Sequence, residues 1–224
     1  MDVFTDPDNV DVYVTGFLWI LKLTAASSVG ALVLGVLLAG MRVSPIPVLR
    51  GVGATWVNTF RNTPLTLIVF FCYFGLFSTL GLSLSDQIDL NNYWLGVIGL
   101  SVYTAAFVCE AIRSGINTVP AGQAEAARAI GMSFFQTLRI VILPQAGRAV
   151  IAPLGSIFIA LAKNSTIVGT IGLAESSNAM KALINANGDQ VIPIFLAFAG
   201  TFAIVLIPTG YLFGFLSNRL AVKR

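Results

Sequence analysis

Charged side chains are rare in this chain, and their positions single out three groups. Glu110 and Arg113 stand three residues apart at the end of an apolar run, and Arg61 stands just before the start of another. On a helix such a pair shares one face. The carboxylate and guanidinium then neutralise each other, and Arg61 adds a cation at similar depth. The trio reads as a clasp between two apolar segments, or as a gate on a polar path between them. The second group is Lys22, Arg148 and Lys163, the last followed by Asn164, Ser165 and Thr166. A cation inside an apolar run either snorkels to a polar boundary or packs against protein, or it lines a route for something anionic or zwitterionic. The third group is Glu125-Ala126-Ala127, Gly131 and Leu143-Pro144, in and just after the most polar internal segment. Several chemistries are absent. The chain has no histidine, so no His-based metal site and no Ser-His-Asp or Cys-His catalysis is expected. Cys72 and Cys109 both lie in apolar runs and read as ordinary buried thiols.

The elements that must hold these groups follow from composition. Of the 224 residues, 56% are hydrophobic and 10% charged, against roughly 45–50% and about 25% in soluble domains. Too little charge is left to cover a water-facing surface. A disordered chain, a nucleic-acid binder and a disulfide-stapled secreted domain are all excluded as whole-chain readings. The expectation is one all-α membrane domain. A bilayer core needs about 20 apolar residues per helix, and five stretches qualify, at about 13–40, 64–80, 93–112, 140–162 and 192–215. The first is not a signal peptide, because acidic residues precede it, it is too long, and further spans follow.

Basic residues sort by loop. Arg42, Arg50 and Arg61, then Arg113, Arg128 and Arg139, then Arg219, Lys223 and Arg224 all fall on one side, nine of the thirteen. Eight of the ten acids (Asp2, Asp6, Asp8, Asp11, Asp86, Asp89, Glu175 and Asp189) fall on the other, with only Lys163 and Lys181. Positive loops stay in the cytoplasm. The N-terminus is therefore expected outside and the C-terminus inside, consistent with five spans.

The segment over 120–135 is too ordered for a plain connection. Pro120 suits a helix start, Gln123 to Ile130 are mostly strong helix formers, and Gly131 suits a stop. Ser133, Phe134 and Phe135 then lead back towards the membrane. Such a helix either lies on lipid headgroups or docks into a groove on a cytoplasmic partner.

Glu125-Ala126-Ala127, three residues, Gly131, nine residues, then Val141-Ile142-Leu143-Pro144 resembles the E-A-A…G…I-x-L-P signature of ABC importer permeases, with Val141 in place of Ile. The resemblance covers nearly the whole chain. Phe60-Arg61-Asn62-Thr63-Pro64-Leu65 is similar to the F-R-G-T-P-L element of polar amino-acid importers, with Asn62 in place of Gly. Glu110 to Ile116 is similar to their E-x-x-R-G-G-I, with Ser114 in place of the first Gly. Lys163-Asn164-Ser165-Thr166 and Gly172-Leu173-Ala174-Glu175 resemble a further element of the type I branch. Met41-Arg42-Val43-Ser44-Pro45, Arg61 to Thr66 and the tail Leu220 to Arg224 look most like glutamate importer permeases of actinobacteria.

The resemblance implies a type I permease fold in the bacterial cytoplasmic membrane and a non-enzymatic subunit that forms half of a translocation pathway. It implies a second permease subunit, a paralogue in a heterodimer or the same chain in a homodimer. Two ATPase subunits would carry ATP and Mg, and an extracytoplasmic binding protein would deliver substrate. No cofactor is expected on this chain, which has no G-x-x-x-x-G-K-[ST] to cradle phosphates, and no nucleic acid among its partners. Glu125, Ala126, Ala127, Gly131, Leu143 and Pro144 would couple to the ATPase. Glu125 would meet a basic residue there, unless it only serves its own helix terminus or pairs with Arg128. The substrate is expected to be a polar amino acid, glutamate first, with glutamine, aspartate or a basic amino acid as alternatives. The rival classes are an ion-coupled secondary transporter, for which internal repeats are missing, and a structural membrane subunit.

Overall fold

The structure, a computed structural model, describes residues 3–220 and is helical almost throughout, with no strand among them. Asp2, Lys223 and Arg224 of the charge count and most of the 220–224 tail lie outside the described residues. A short turn, Val3–Thr5, leads into helix α1, Pro7–Val43. Asp6 caps α1 by accepting the N–H of Asp8 at 3.0 Å, with Pro7 in the first turn. Thirty-seven residues rise about 55 Å, much more than a bilayer core of about 30 Å. Ser44 ends the helix in an extended conformation, as a residue before proline prefers.

The expected loop after the first span is itself a helix, α2, Pro47–Arg61. The chain turns by 103° before the next helical segment, Leu65–Thr79, which begins as α3, Leu65–Phe70, and loosens to a π-helix over Phe71–Thr79. The second apolar stretch is thus a 15-residue half of a bent pair, short of the ~20 residues of a straight span. Both α2 and α3 pack against α4, Ile88–Asn117.

Helix α4 is the hub and touches α1, α2, α3, α7 (Leu143–Ala149) and α8 (Ile151–Asn164). Small side chains let α1 and α4 approach closely: Ala31, Ala39, Ala105 and Ala106 are essentially unexposed. Leu23, Leu95, Leu100, Leu161 and Val168 fill the middle of the bundle. Phe17, Leu183, Ile194 and Phe198 bind the N-terminal end of α1 to α9, Ser176–Ala186, and to α10, Val191–Leu220.

The expected fourth span, 140–162, is not one helix. It comprises a π-turn Thr137–Ile142, helix α7, Leu143–Ala149, a break at Val150, helix α8, Ile151–Asn164, and a 3-10 stretch Ser165–Ile171. The cause is covalent. Pro144 and Pro153 carry no N–H, so the carbonyls of Ile140 and Ala149 lose their i+4 donors and the helix reorganises there. The stretch long and apolar enough to cross is Ile151–Ile171. Four helices meet that test among the described residues, and the bent pair would make a fifth.

Candidate functional site

The polar hairpin after α4 is built from local rules. Helix α5, Ala121–Ala129, ends at Ile130, and Gly131 takes the left-handed region with φ +90°. Its N–H donates to the Arg128 carbonyl at 3.0 Å, and that of Met132 donates to Ala127 at 3.1 Å. This pairing is a Schellman ending, which a residue with Cβ adopts only under strain. Ser133 and Gln136 form a capping box that starts the short helix α6, Phe134–Gln136.

Glu125 and Ala126 are exposed, whereas Ala127 faces inward. Among the described residues Glu125 makes no ion pair, with Arg128 or any other cation. Leu143 and Pro144 are exposed at the start of α7. On the same hairpin Ile130 and Phe135 are 80% and 78% exposed. The hairpin is tied to α7 by Gln145, whose amide nitrogen donates to the Gln123 side chain and to the Val141 carbonyl. Helix α7 in turn seats on α4 at Gly115, where a Cβ would lie 2.4 Å from Val150 Cγ1.

Where α1, α2 and α4 end or cross, one carboxylate meets three guanidiniums. Arg113 binds Glu110 in fork geometry, Nη2 to Oε2 at 2.9 Å and Nε to Oε1 at 3.2 Å. Arg61 Nη1 stands 3.6 Å from Oε2, and Arg42 Nη1 stands 3.4 Å from Oε1. The structure brings Arg61, Glu110 and Arg113 together and adds Arg42. Sequence reasoning placed Arg42 among loop cations. The available signal was its place in the last turn of a long helix, one residue before the end, where a cation also suits the helix dipole. The Arg61 guanidinium lies over the Phe107 ring, 5.7 Å from its centre.

The remaining polar residues are not gathered at one point. Lys22 is exposed on α1 with its Nζ 4.8 Å above the Trp19 ring. Arg148 is exposed on α7, across the break at Val150 from α8, rather than inside a continuous span. Lys163 is exposed at the end of α8. Ser165 is buried with its hydroxyl on the Ala162 carbonyl, and the Thr166 hydroxyl donates to the Lys163 carbonyl. Asn164 lines a cavity of about 250 Å³ between α4 and α8, shared with Tyr103, Thr104, Phe107 and Ser156.

One further acid was not singled out for a role. Glu175 is fully buried at the start of α9 and accepts the N–H groups of Ser177 and Asn178 at 2.8 and 3.2 Å, and the Ser177 hydroxyl. Burial pushes its pKa above the usual glutamate value, and these hydrogen bonds oppose the shift.

A family model for the inner membrane component of binding-protein-dependent transport systems matches residues 31–222. The chain belongs to this family. Its members are membrane permeases that work with ATPase and substrate-binding partners and are not themselves the catalytic subunits. This permease is 49% identical over 213 residues to the glutamate transport system permease protein GluC of Corynebacterium glutamicum, covering 92% of this chain and 93% of that protein. It is 37% identical to the probable glutamine ABC transporter permease protein GlnM of Bacillus subtilis, covering 95% of each. Among solved structures, a chain of an amino acid ABC transporter crystallised with histidines matches with a TM-score of 0.85 at 26% identity, over 98% of this permease and 99% of that chain.

Proposed function

We propose that this permease is half of the translocation pathway of an ATP-driven importer of a polar amino acid, with glutamate as substrate. It stands in the bacterial cytoplasmic membrane with its N-terminus outside and its C-terminus inside, paired with a paralogous permease. Two ATPases dock on α5 from the cytoplasm, and a binding protein delivers the amino acid from outside. The observation that carries this reading is the hairpin itself: an exposed Glu125 without an ion-pair partner among the described residues, on the same hairpin as solvent-exposed Ile130 and Phe135. Exposed apolar side chains next to an unpaired charge suit a protein groove better than water.

The coupling route follows from contacts. When ATP closes the ATPases, α5 moves with them. Gln145 passes the motion from α5 to α7. The close seat of α7 on α4 at Gly115 passes it to the helix that forms one wall of the α4–α8 cavity. That cavity, with a phenol, two hydroxyls and an amide on its walls, is the stretch of path this chain contributes, and the second permease closes its open side. The relatives named as glutamate transport permeases support the substrate assignment.

Reconstitution tests the proposal. Proteoliposomes holding both permeases, the ATPases and the binding protein are expected to take up labelled glutamate only with ATP. Excess unlabelled arginine is expected not to block that uptake. Uptake by this chain alone on an ion gradient would overturn the importer reading. Competition by arginine without transport of glutamate would overturn the substrate.

A further inference from the structure

Glu175 follows the span Ile151–Ile171 and stands on the acidic side of the charge count, the outer face in the reading above. Its fully buried carboxyl lies against the 3-10 stretch Ser165–Ile171, where a Cβ at Gly169 would run into Glu175 Oε1. That stretch begins at the residue after Asn164, which lines the α4–α8 cavity. Side chains from other elements reach three of its carbonyls. Asn178 donates to Gly169 at 2.8 Å, and Asn92 of α4 donates to Ile171 at 2.9 Å. The third is Thr166, 3.4 Å from the Ser177 hydroxyl.

Ser177 has one hydroxyl hydrogen to donate and two acceptors within reach, the Thr166 carbonyl and Glu175 Oε1 at 2.5 Å. With an ionised carboxylate the nearer, charge-assisted bond wins, and Thr166 loses its donor. With a neutral carboxyl the direction reverses. The carboxyl O–H donates to Ser177 Oγ, and the Ser177 hydrogen turns to Thr166. A proton added at Glu175 therefore completes the third hold on the stretch, and its loss removes that hold. The N–H groups of Ser177 and Asn178 bind the carboxyl in either state, so the cap of α9 survives the change.

Among the described residues, the cation that favours the charged form is Lys181, exposed on α9. The 3-10 stretch carries no charged side chain. The outer half of α1, which packs on α9, brings Asp8, Asp11 and Lys22, and the start of α4 brings Asp89, all exposed. Helix α10 brings Arg219, at its far end. Burial outweighs Lys181 and the hydrogen bonds, so the carboxyl takes up a proton above the ordinary glutamate range.

We propose that Glu175 is a positioning residue for transport: through Ser177, its proton sets how firmly the 3-10 stretch after Asn164 is held, and acid outside thereby slows import. A path that opens and closes requires its wall segments to move, and a stretch held at three carbonyls moves less readily than one held at two. The inference rests on the importer reading and on its sidedness, and adds a control to them.

The test uses proteoliposomes of the whole complex, with ATP and a fixed pH inside. Glutamate-loaded binding protein is presented outside between about pH 8 and about pH 5, above the ordinary glutamate value. Absence of ATP-driven uptake at the alkaline end removes the importer reading and this inference with it. Given uptake, wild type and variants share one binding protein, so the readout is the ratio of their rates at each pH. Ser177→Ala has no hydrogen to offer Thr166 and is expected to match wild type at the alkaline end. On acidification the ratio of wild type to Ser177→Ala is expected to fall about fivefold, the scale of one neutral hydrogen bond. Glu175→Gln offers an amide N–H to Ser177 at every pH. It is expected to be about fivefold slower than wild type at the alkaline end and equal to it in acid. The Ser177→Ala ratio decides even where Glu175→Gln fails to fold. A purely structural role would lower both variants with their unfolding midpoints, by a factor that does not change with pH. That result, or a constant ratio of wild type to Ser177→Ala, overturns the proposal.

Discussion

Glu110 shows how one acid can serve three bases unequally. Its carboxylate is partly exposed and the guanidiniums around it range from nearly buried Arg42 to half-open Arg61. An exposed pair contributes about 0–1 kcal/mol, and breaking a dry one costs about 3–5. Glu110→Gln belongs between these limits, at about 2 kcal/mol, because Arg42 is left nearly buried without a counter-charge. The purified protein in detergent is expected to unfold several degrees earlier. Arg42→Gln added to Glu110→Gln is expected to cost much less than Arg42→Gln alone, because the two residues share one interaction. Additive losses in that double-mutant cycle would show that Arg42 is solvated and outside the cluster.

At the scale of elements, the hairpin of α5, α6 and α7 is held by specific stops rather than by a large core. Gly131 at φ +90° sets the direction in which the chain leaves α5, and a Cβ there costs about 1–2 kcal/mol. Gly131→Val is therefore expected to re-aim the hairpin while α4 and α8 stay packed. Glu125→Lys reverses the charge of an exposed side chain that no cation among the described residues holds, and is expected to leave folding unchanged. Both variants are expected to insert normally, and complexes that contain them are expected to hydrolyse ATP on their ATPase subunits with little uptake, which paired ATPase and transport assays on the same proteoliposomes would reveal. Normal uptake by well-expressed Glu125→Lys would remove α5 as the docking element.

For the molecule as a whole, charge placement dictates sidedness, and sidedness decides which partner meets which face. Cys72 and Cys109 are buried, so they form a quiet background for labelling. A cysteine replacing Gln123 on α5 is expected to react with a membrane-impermeant maleimide only in inside-out vesicles. A cysteine replacing exposed Lys181 on α9 is expected to react only from the outside. The reverse pattern would invert the topology and place the hairpin where no ATPase can reach it.

Hydropathy and composition pointed by themselves to a helical membrane protein, and the first, third and fifth apolar stretches fall inside α1, α4 and α10. Those signals are local: about 20 apolar residues have no other stable place. The stop at Gly131 was legible for the same reason, since a left-handed residue is written in the chain as glycine. The Glu110–Arg113 pair was legible too, because helical spacing alone brings the two side chains together. Only the tertiary structure decided the rest. It turned the segment after α1 into a packed helix, because the amphipathic face of α2, with Gly53 and Val57 buried, needed α1 and α4 to pack against. It divided 140–162 at Val150, where proline made a break possible and the seat on α4 fixed where the two halves went. It carried Arg42 to an acid 68 residues away in sequence, and it left Lys22, Arg148 and Lys163 apart from one another. Distances between side chains on different helices depend on how the helices cross, and no spacing within a single helix encodes that.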